Sequence, residues 1–363
     1  MLAVRPWQNL YIHVPFCLCK CDYCAFYSEA GAGSLMRPWL DKIKAELEPL
    51  SGHALHTVYL GGGTPTVLEP ALLDELLCAV KDLDSGASEI SIECNPESLT
   101  PEKAAVLGRY VSRVSLGVQS FDPALRQAIG RCGDPERIFP AFDLLLENGL
   151  ANLSCDLIYG LPGQSRADWE KDLTRALSLP VKHLSAYALT VEVGTPLGGR
   201  YRNDPACDIR TAAMEVSTRR ILKEAGLHQY EISNYARPGY ECAHNQNIWH
   251  GETYLGLGPA ACSFDGRDRF TQVASIRDWL AGVPPEVDRI SDDARRAEML
   301  MMGLRTVRGW NDGEFERAAG LSPESLRPAQ IASLRQKKMM KSGRIALTRR
   351  GLDFWNDAAL ELL

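Results

Sequence analysis

Four cysteines crowd into one short stretch: Cys17, Cys19, Cys21 and Cys24. Three of them, Cys17, Cys21 and Cys24, have the spacing C-x3-C-x2-C. Three thiolates on one tight loop can hold three corners of a [4Fe–4S] cluster and leave the fourth iron open to an outside ligand. Structural zinc asks for four ligands, and no second cysteine pair with zinc spacing follows in the chain. Cys19 sits too close to its neighbours for two thiolates on one cubane and reads as a bystander. The remaining cysteines (Cys78, Cys94, Cys132, Cys155, Cys207, Cys242, Cys262) are scattered and read mostly as small buried hydrophobes.

The elements that must position this loop are legible as an alternation. Short β-rich runs at 10–14, 57–60, 89–93, 113–118, 152–159 and 183–189 alternate with helix-period segments at 35–50, 69–82, 101–107, 135–148, 166–179 and 207–225. Six β-then-α units in succession imply an α/β chain with a parallel sheet and helices outside it, closing a barrel or stopping part-way. In either case chemistry belongs at the strand C-termini, and the cysteine loop directly follows the first strand. Residues 1–227 are taken as this core. Residues 228–290, rich in Gly, Asn, Tyr and Trp, lack clear periodicity and read as an irregular linking region. Helical patterns return at 293–304, 312–319 and 328–341, so residues 291–363 read as a small, mainly helical domain. Its Met-rich stretch, 298–305, reads as core, and the basic run 335–350 as a solvated face.

Composition removes several classes. Of 363 residues, 45% are apolar and 24% charged, which excludes a disordered, collagen-like or coiled-coil chain. Forty Lys and Arg against 46 Asp and Glu give a net charge of −6, so no nucleic-acid partner is expected. No apolar run approaches the ~20 residues of a membrane helix. Met1 to Leu10 carries no apolar h-region, so a cytoplasmic protein is expected.

The stretch Tyr11 to Tyr27 resembles the cluster loop of radical S-adenosylmethionine (SAM) enzymes, within the branch of oxygen-independent coproporphyrinogen III oxidases and their relatives. The resemblance continues through Gly-Gly-Gly-Thr-Pro-Thr (61–66), Ser-Ile-Glu-Cys-Asn-Pro-Glu (91–97), Ser-Leu-Gly-Val-Gln-Ser-Phe (115–121), Asp-Leu-Ile-Tyr-Gly-Leu-Pro-Gly-Gln (156–164) and Tyr-Glu-Ile-Ser-Asn-Tyr-Ala (230–236). It implies a partial (β/α)6 barrel. It also implies that the open iron chelates SAM's methionyl group, and that reduction then yields a 5′-deoxyadenosyl radical. The SAM site it implies comprises Tyr11, Tyr23, Gly62, Gly63, Thr64, Glu93, Gln119, Arg131 and Asp156. The Gly run lets backbone approach a ligand closely. Glu93 can accept from two ribose hydroxyls, Gln119 offers donor and acceptor, and Arg131 suits the methionyl carboxylate bidentately. Asp156 lies inside an apolar strand, where an unpaired carboxylate is costly. One departure follows Arg131, where Cys132-Gly133 replaces the usual His or Gln.

Within that branch, three functions share the scaffold: porphyrinogen decarboxylation, haem delivery, and radical methylation or cyclopropanation. The decarboxylase carries a long segment before the cluster and a further Cys two residues past the third. Here 16 residues precede Cys17, and Phe26 occupies the second position, which is the pattern of the HemW-type haem chaperones. The stretch Cys242-Ala-His-Asn-Gln-Asn-Ile-Trp249 resembles their H-N-x-x-Y-W haem motif, with Ile248 replacing Tyr. This implies His244 as a haem contact, since a neutral imidazole suits haem iron. Cys262 stands where relatives often place a His and becomes a second haem candidate. The implied cofactors are a [4Fe–4S] cluster, SAM and haem. The implied partners are haem-acceptor proteins, respiratory and membrane-associated ones included. The alternatives carried are a coproporphyrinogen III oxidase and a radical methyltransferase.

Overall fold

The computed structural model describes residues 7–201, 205–311 and 313–363, with the side chains of 205–208 left aside. Met1 to Pro6, Asp312 and the side chain of Cys207 therefore lie outside the described residues, along with the expectations that fell on them.

Six parallel strands form the centre: β1 (Asn9–Val14), β2 (Thr57–Gly62), β3 (Glu89–Cys94), β4 (Arg113–Gln119), β5 (Leu153–Tyr159) and β6 (His183–Ala188). They pair in that order. Helices α1 (Met36–Leu47), α2 (Pro70–Lys81), α3 (Pro101–Tyr110), α4 (Pro123–Ala128), α5 (Ile138–Glu147) and α6 (Arg166–Leu177) fill the crossovers. Alternation along each strand explains the layering. On β4, Val114, Leu116 and Val118 join the hydrophobic core with helix residues such as Leu107 and Phe142. The intervening Arg113, Ser115, Gly117 and Gln119 line a cavity on the other face. Proline at the first turn of α2, α3 and α4 starts those helices where its missing N–H costs nothing. Ser165 and Asp168 close a capping box at α6.

Residues 228–290 correct the reading of an irregular segment. They supply six short strands: β7 (His228–Gln229), β8 (Asn234–Ala236), β9 (Tyr254–Leu257), β10 (Cys262–Phe264), β11 (Asp268–Thr271) and β12 (Glu286–Arg289). β9 lies parallel to β1 on its free side. β10 to β12 continue that edge antiparallel, and β8 and β7 extend the β6 edge antiparallel. The result is a 12-stranded sheet whose two ends do not pair, a partial barrel. After α7 (Pro205–Glu224), α8 (Ala243–Trp249) packs against β2. The C-terminal helices, from α9 (Asp292–Gly303) to α10 (Trp355–Leu362), enclose a second core in which Met299, Leu300, Trp310 and Phe315 are buried.

Candidate functional site

A cavity of about 600 Å³ opens at the C-terminal ends of the parallel strands. Its wall includes the three cluster-spaced cysteines, Cys17, Cys21 and Cys24, and also Tyr23, Gly62, Gly63 and Thr64. Glu93, Gln119, Arg131 and Asp156 complete it. The structure thus gathers these residues from five different βα units. The three thiols do not converge on one point: among the described residues, no three Cys, His, Asp or Glu side chains gather closely enough for a single ion. A cubane does not require that, since each thiolate takes its own iron.

Tyr11 is one step removed from the wall. Its hydroxyl is 3.0 Å from His13 Nδ1, and its ring stacks on Tyr59. Tyr59 takes the place beside the site, donating from Oη to Glu93 Oε1 at 2.9 Å. Glu93 also accepts from Gly62 N at 3.1 Å. Burial dominates its titration and pushes the carboxyl up to about 7, against the opposing effect of the Tyr59 bond. Gly62 has φ +103, and a Cβ there would meet the His13 ring at 2.4 Å. The glycine run therefore makes room first for protein groups: His13 below and, at Gly61, the Glu93 carboxyl.

Gln119 ends β4 at a register shift and adopts φ +67, a left-handed conformation rare outside glycine. Such strain persists where surroundings over-determine it, and here it sets the side chain at the cavity wall. Asp156 accepts from Ser115 Oγ at 2.8 and 2.9 Å and from Ser154 Oγ at 3.2 Å, which satisfies the carboxylate inside its strand.

Arg131 is the most heavily tied of the set. It donates to Asn95 Oδ1 at 2.7 Å, to Gly117 O at 2.6 Å and toward Cys21 Sγ at 3.7 Å. Glu97 lies 3.5 Å away and also pairs with the buried Arg126. One carboxylate facing two guanidiniums leaves a net positive charge beside the cysteine loop. The Nε of Arg131 is buried without a partner, as are those of Arg113 and Arg126. Asn95 is a residue the sequence reading passed over. Its Nδ2 donates to Thr64 Oγ1 at 2.7 Å while its Oδ1 receives Arg131, so it ties two site residues together. Its place two residues beyond Glu93 was the available signal.

Two expectations for cysteine are corrected. Cys19 is no bystander, and Cys132 is no buried hydrophobe: a disulfide joins them. Cys78 and Cys262 are only partly buried, whereas Cys94, Cys155 and Cys242 are buried as expected.

The Radical SAM superfamily matches residues 11–176. A heme chaperone HemW of Mycobacterium tuberculosis is 37% identical over 330 residues, 85% of this chain and 84% of its own. That of Lactococcus lactis is 32% identical over 96% of both chains, and that of Escherichia coli 34% over 89% of both. The chain belongs to the HemW family. Among solved structures, coproporphyrinogen III oxidase (HemN) of Escherichia coli superposes with TM-score 0.84 at 21% identity, over 99% of this chain and 91% of that one, and shares the fold. Radical SAM membership brings a [4Fe–4S] cluster and SAM, and this site fits them by the chemistry of its donors: three free thiols, the Arg131 side chain and the Glu93 and Asp156 carboxylates line one cavity.

The HemW-like haem motif is placed differently from its cluster loop. His244 sits in α8, 3% exposed, with Nδ1 at 2.7 Å from Thr57 Oγ1 and its ring 5.1 Å from Tyr59. Burial, then the charge of Arg113, push its imidazole down to about 3, so it stays neutral. Glu89 accepts from the backbone N–H groups of Ala243 and His244 and anchors the start of α8. Cys262 lies on β10 beside Tyr254 and Thr271. The structure does not bring His244 and Cys262 to a common contact, and neither lines the cavity; Asn245 of the motif does.

Proposed function

We propose that this chain is a haem chaperone. It binds haem and SAM, carries a [4Fe–4S] cluster on Cys17, Cys21 and Cys24, and passes haem to acceptor proteins. Kinship with curated haem chaperones over most of the chain carries this reading. The cluster, when bound, supplies an open iron and an electron source at the cavity wall. The chain's own residues hold the nucleoside ligand. Arg131 meets its carboxylate, Glu93 and Gln119 its ribose, and Asp156 is held ready by Ser115 and Ser154. Thr64 and Asn95 brace the loop between them.

His244 and Cys262 are the proposed haem contacts. His244 has the neutral form that iron requires, yet Thr57 and Tyr59 hold it, so ligation calls for a shift of α8. Cys262 is only partly buried and needs no such shift. No described helix is long and apolar enough to cross a membrane. The acceptors proposed are haem proteins, respiratory and membrane-associated ones among them, met from the cytoplasm.

The deciding experiment is anaerobic reconstitution, haem titration, and then a coproporphyrinogen III decarboxylation assay on the same sample. A saturable Soret band without decarboxylation is expected, with the band displaced in His244→Ala. Robust decarboxylation with no haem binding overturns the reading.

A further inference from the structure

Cys19 lies inside the cluster loop, between ligand positions, and lines the cavity. Cys132 directly follows Arg131. Their sulfurs are bonded, with Cα atoms 6.5 Å apart across a sequence separation of 113. The bond runs from the loop after β1 to the turn after α4, in the crossover that leaves β4, and β2 and β3 lie between β1 and β4 in the sheet. It is therefore a covalent chord between two segments that both line the cavity, the cluster loop and the turn that carries Arg131. Noncovalent contacts follow the same line. Asp22 N donates to Ile129 O at 3.0 Å, and Arg131 Nη1 reaches Cys21 Sγ at 3.7 Å. The Cys132 carbonyl is itself held by Arg126 Nη2 at 3.0 Å, so Cys132 is fixed to the ion cluster of Arg126, Glu97 and Arg131.

Two features speak against a permanent staple. Cys17, Cys21 and Cys24 must remain thiols to take a cluster, so the chain has to work where thiols stay reduced. Disulfides found under such conditions are usually transient or redox-sensing. The pair is also reachable, since both cysteines are only partly buried.

We propose that Cys19 and Cys132 form a reversible thiol–disulfide site that sets the affinity of the adjoining pocket for SAM, an inference that rests on the cofactor reading above. On oxidation the two thiols lose two protons and two electrons, and a disulfide substrate takes up both, leaving as two thiols. In reverse, a dithiol reductant attacks one sulfur, forms a mixed disulfide, and resolves it with its second thiol, which frees Cys19 and Cys132. Oxidised, the chord holds Arg131 against the cluster loop. Reduced, Arg131 loses that tether to the cluster loop.

The test uses full-length, cluster-loaded protein kept anaerobic. One portion is treated with a small dithiol and the other with its cyclic disulfide, and both are then desalted. Differential alkylation and mass spectrometry report the Cys19–Cys132 link, iron content reports the cluster, and calorimetry reports SAM affinity. The expected result is a linked peptide in the oxidised portion, equal iron in both, and SAM binding at least tenfold tighter when oxidised. In Cys132→Ser, affinity should stay at the reduced value under either treatment. Cys19→Ser/Cys132→Ser should bind SAM equally in both. No linked peptide, loss of iron on oxidation, or equal SAM affinity with the link verified overturns the switch. Failure to bind SAM in either state with the cluster intact overturns the cofactor reading along with it.

Discussion

Replacing Glu93 with Gln separates a binding role from a structural one, because the two consequences have opposite signs. Gln keeps the volume, and its one carbonyl oxygen can still accept from Gly62 N, now 3.1 Å from Oε2, while the Tyr59 hydroxyl, now donating to Oε1 at 2.9 Å, can turn to accept from the amide NH2. What it loses is charge. A hydrogen bond to a charged group contributes about 1.5–3 kcal/mol, so SAM should bind roughly 10- to 150-fold more weakly at pH 8. Stability should move the other way. The folded carboxyl titrates at about 7 rather than 4.5, so the folded state holds more protons than the unfolded state between those values. Stability from this group therefore falls as pH rises through that window and levels off above it. A shift of this size corresponds to about 3 kcal/mol against the fold at pH 8, as an upper figure, which the substitution removes. Glu93→Gln should then melt no lower than the parent at pH 8 while binding SAM less well. The parent's SAM affinity should climb as pH passes through about 7, and the variant's should not. Calorimetric titration of cluster-loaded protein at several pH values, paired with thermal melts, reads both. SAM affinity within twofold of the parent at pH 8, with iron content intact, would refute the assignment of Glu93 to the ligand.

Alanine at Cys17, Cys21 or Cys24 should each abolish the cluster's broad visible absorbance and the binding of about four irons, whereas Cys19→Ala should retain both. Gln119→Gly relieves a left-handed backbone at φ +67 and should raise stability by about 1 kcal/mol in denaturant melts, while SAM affinity drops. Glu97→Gln leaves the guanidiniums of Arg126 and Arg131 buried without their carboxylate and should cost about 3 kcal/mol of stability, read from the same melts.

The parallel core was legible because buried strands are short β-rich runs, and each central strand lies within a few residues of its expected span. The site was legible for a related reason. The strand face that turns inward is polar, so Arg113, Ser115 and Gln119 stand out at every second position against Val114, Leu116 and Val118. The strands at 228–290 were hidden because they are two to four residues long and owe their form to distant partners. Asn9 against Tyr254 is one such pair, and neither residue signals the other locally. Pairing of Cys19 with Cys132 was hidden likewise, across 113 residues of chain. His244 was readable as a ligand type, but its enclosure by Thr57 and Tyr59 depends on how α8 meets β2.

Arg305, in the turn after α9, lies between two indole rings, 4.6 Å from Trp249 and 4.7 Å from Trp355. Glu231 stands 3.8 Å from the same guanidinium. Trp249 closes the helix that carries His244, and Trp355 opens the last helix of the chain. If α10 lifts, a cation loses one of its two aromatic faces, and the other is left facing water. One guanidinium thus serves as a common anchor for the helix that carries His244 and for the helix that begins at Trp355, so the seating of each is tied to the same cation.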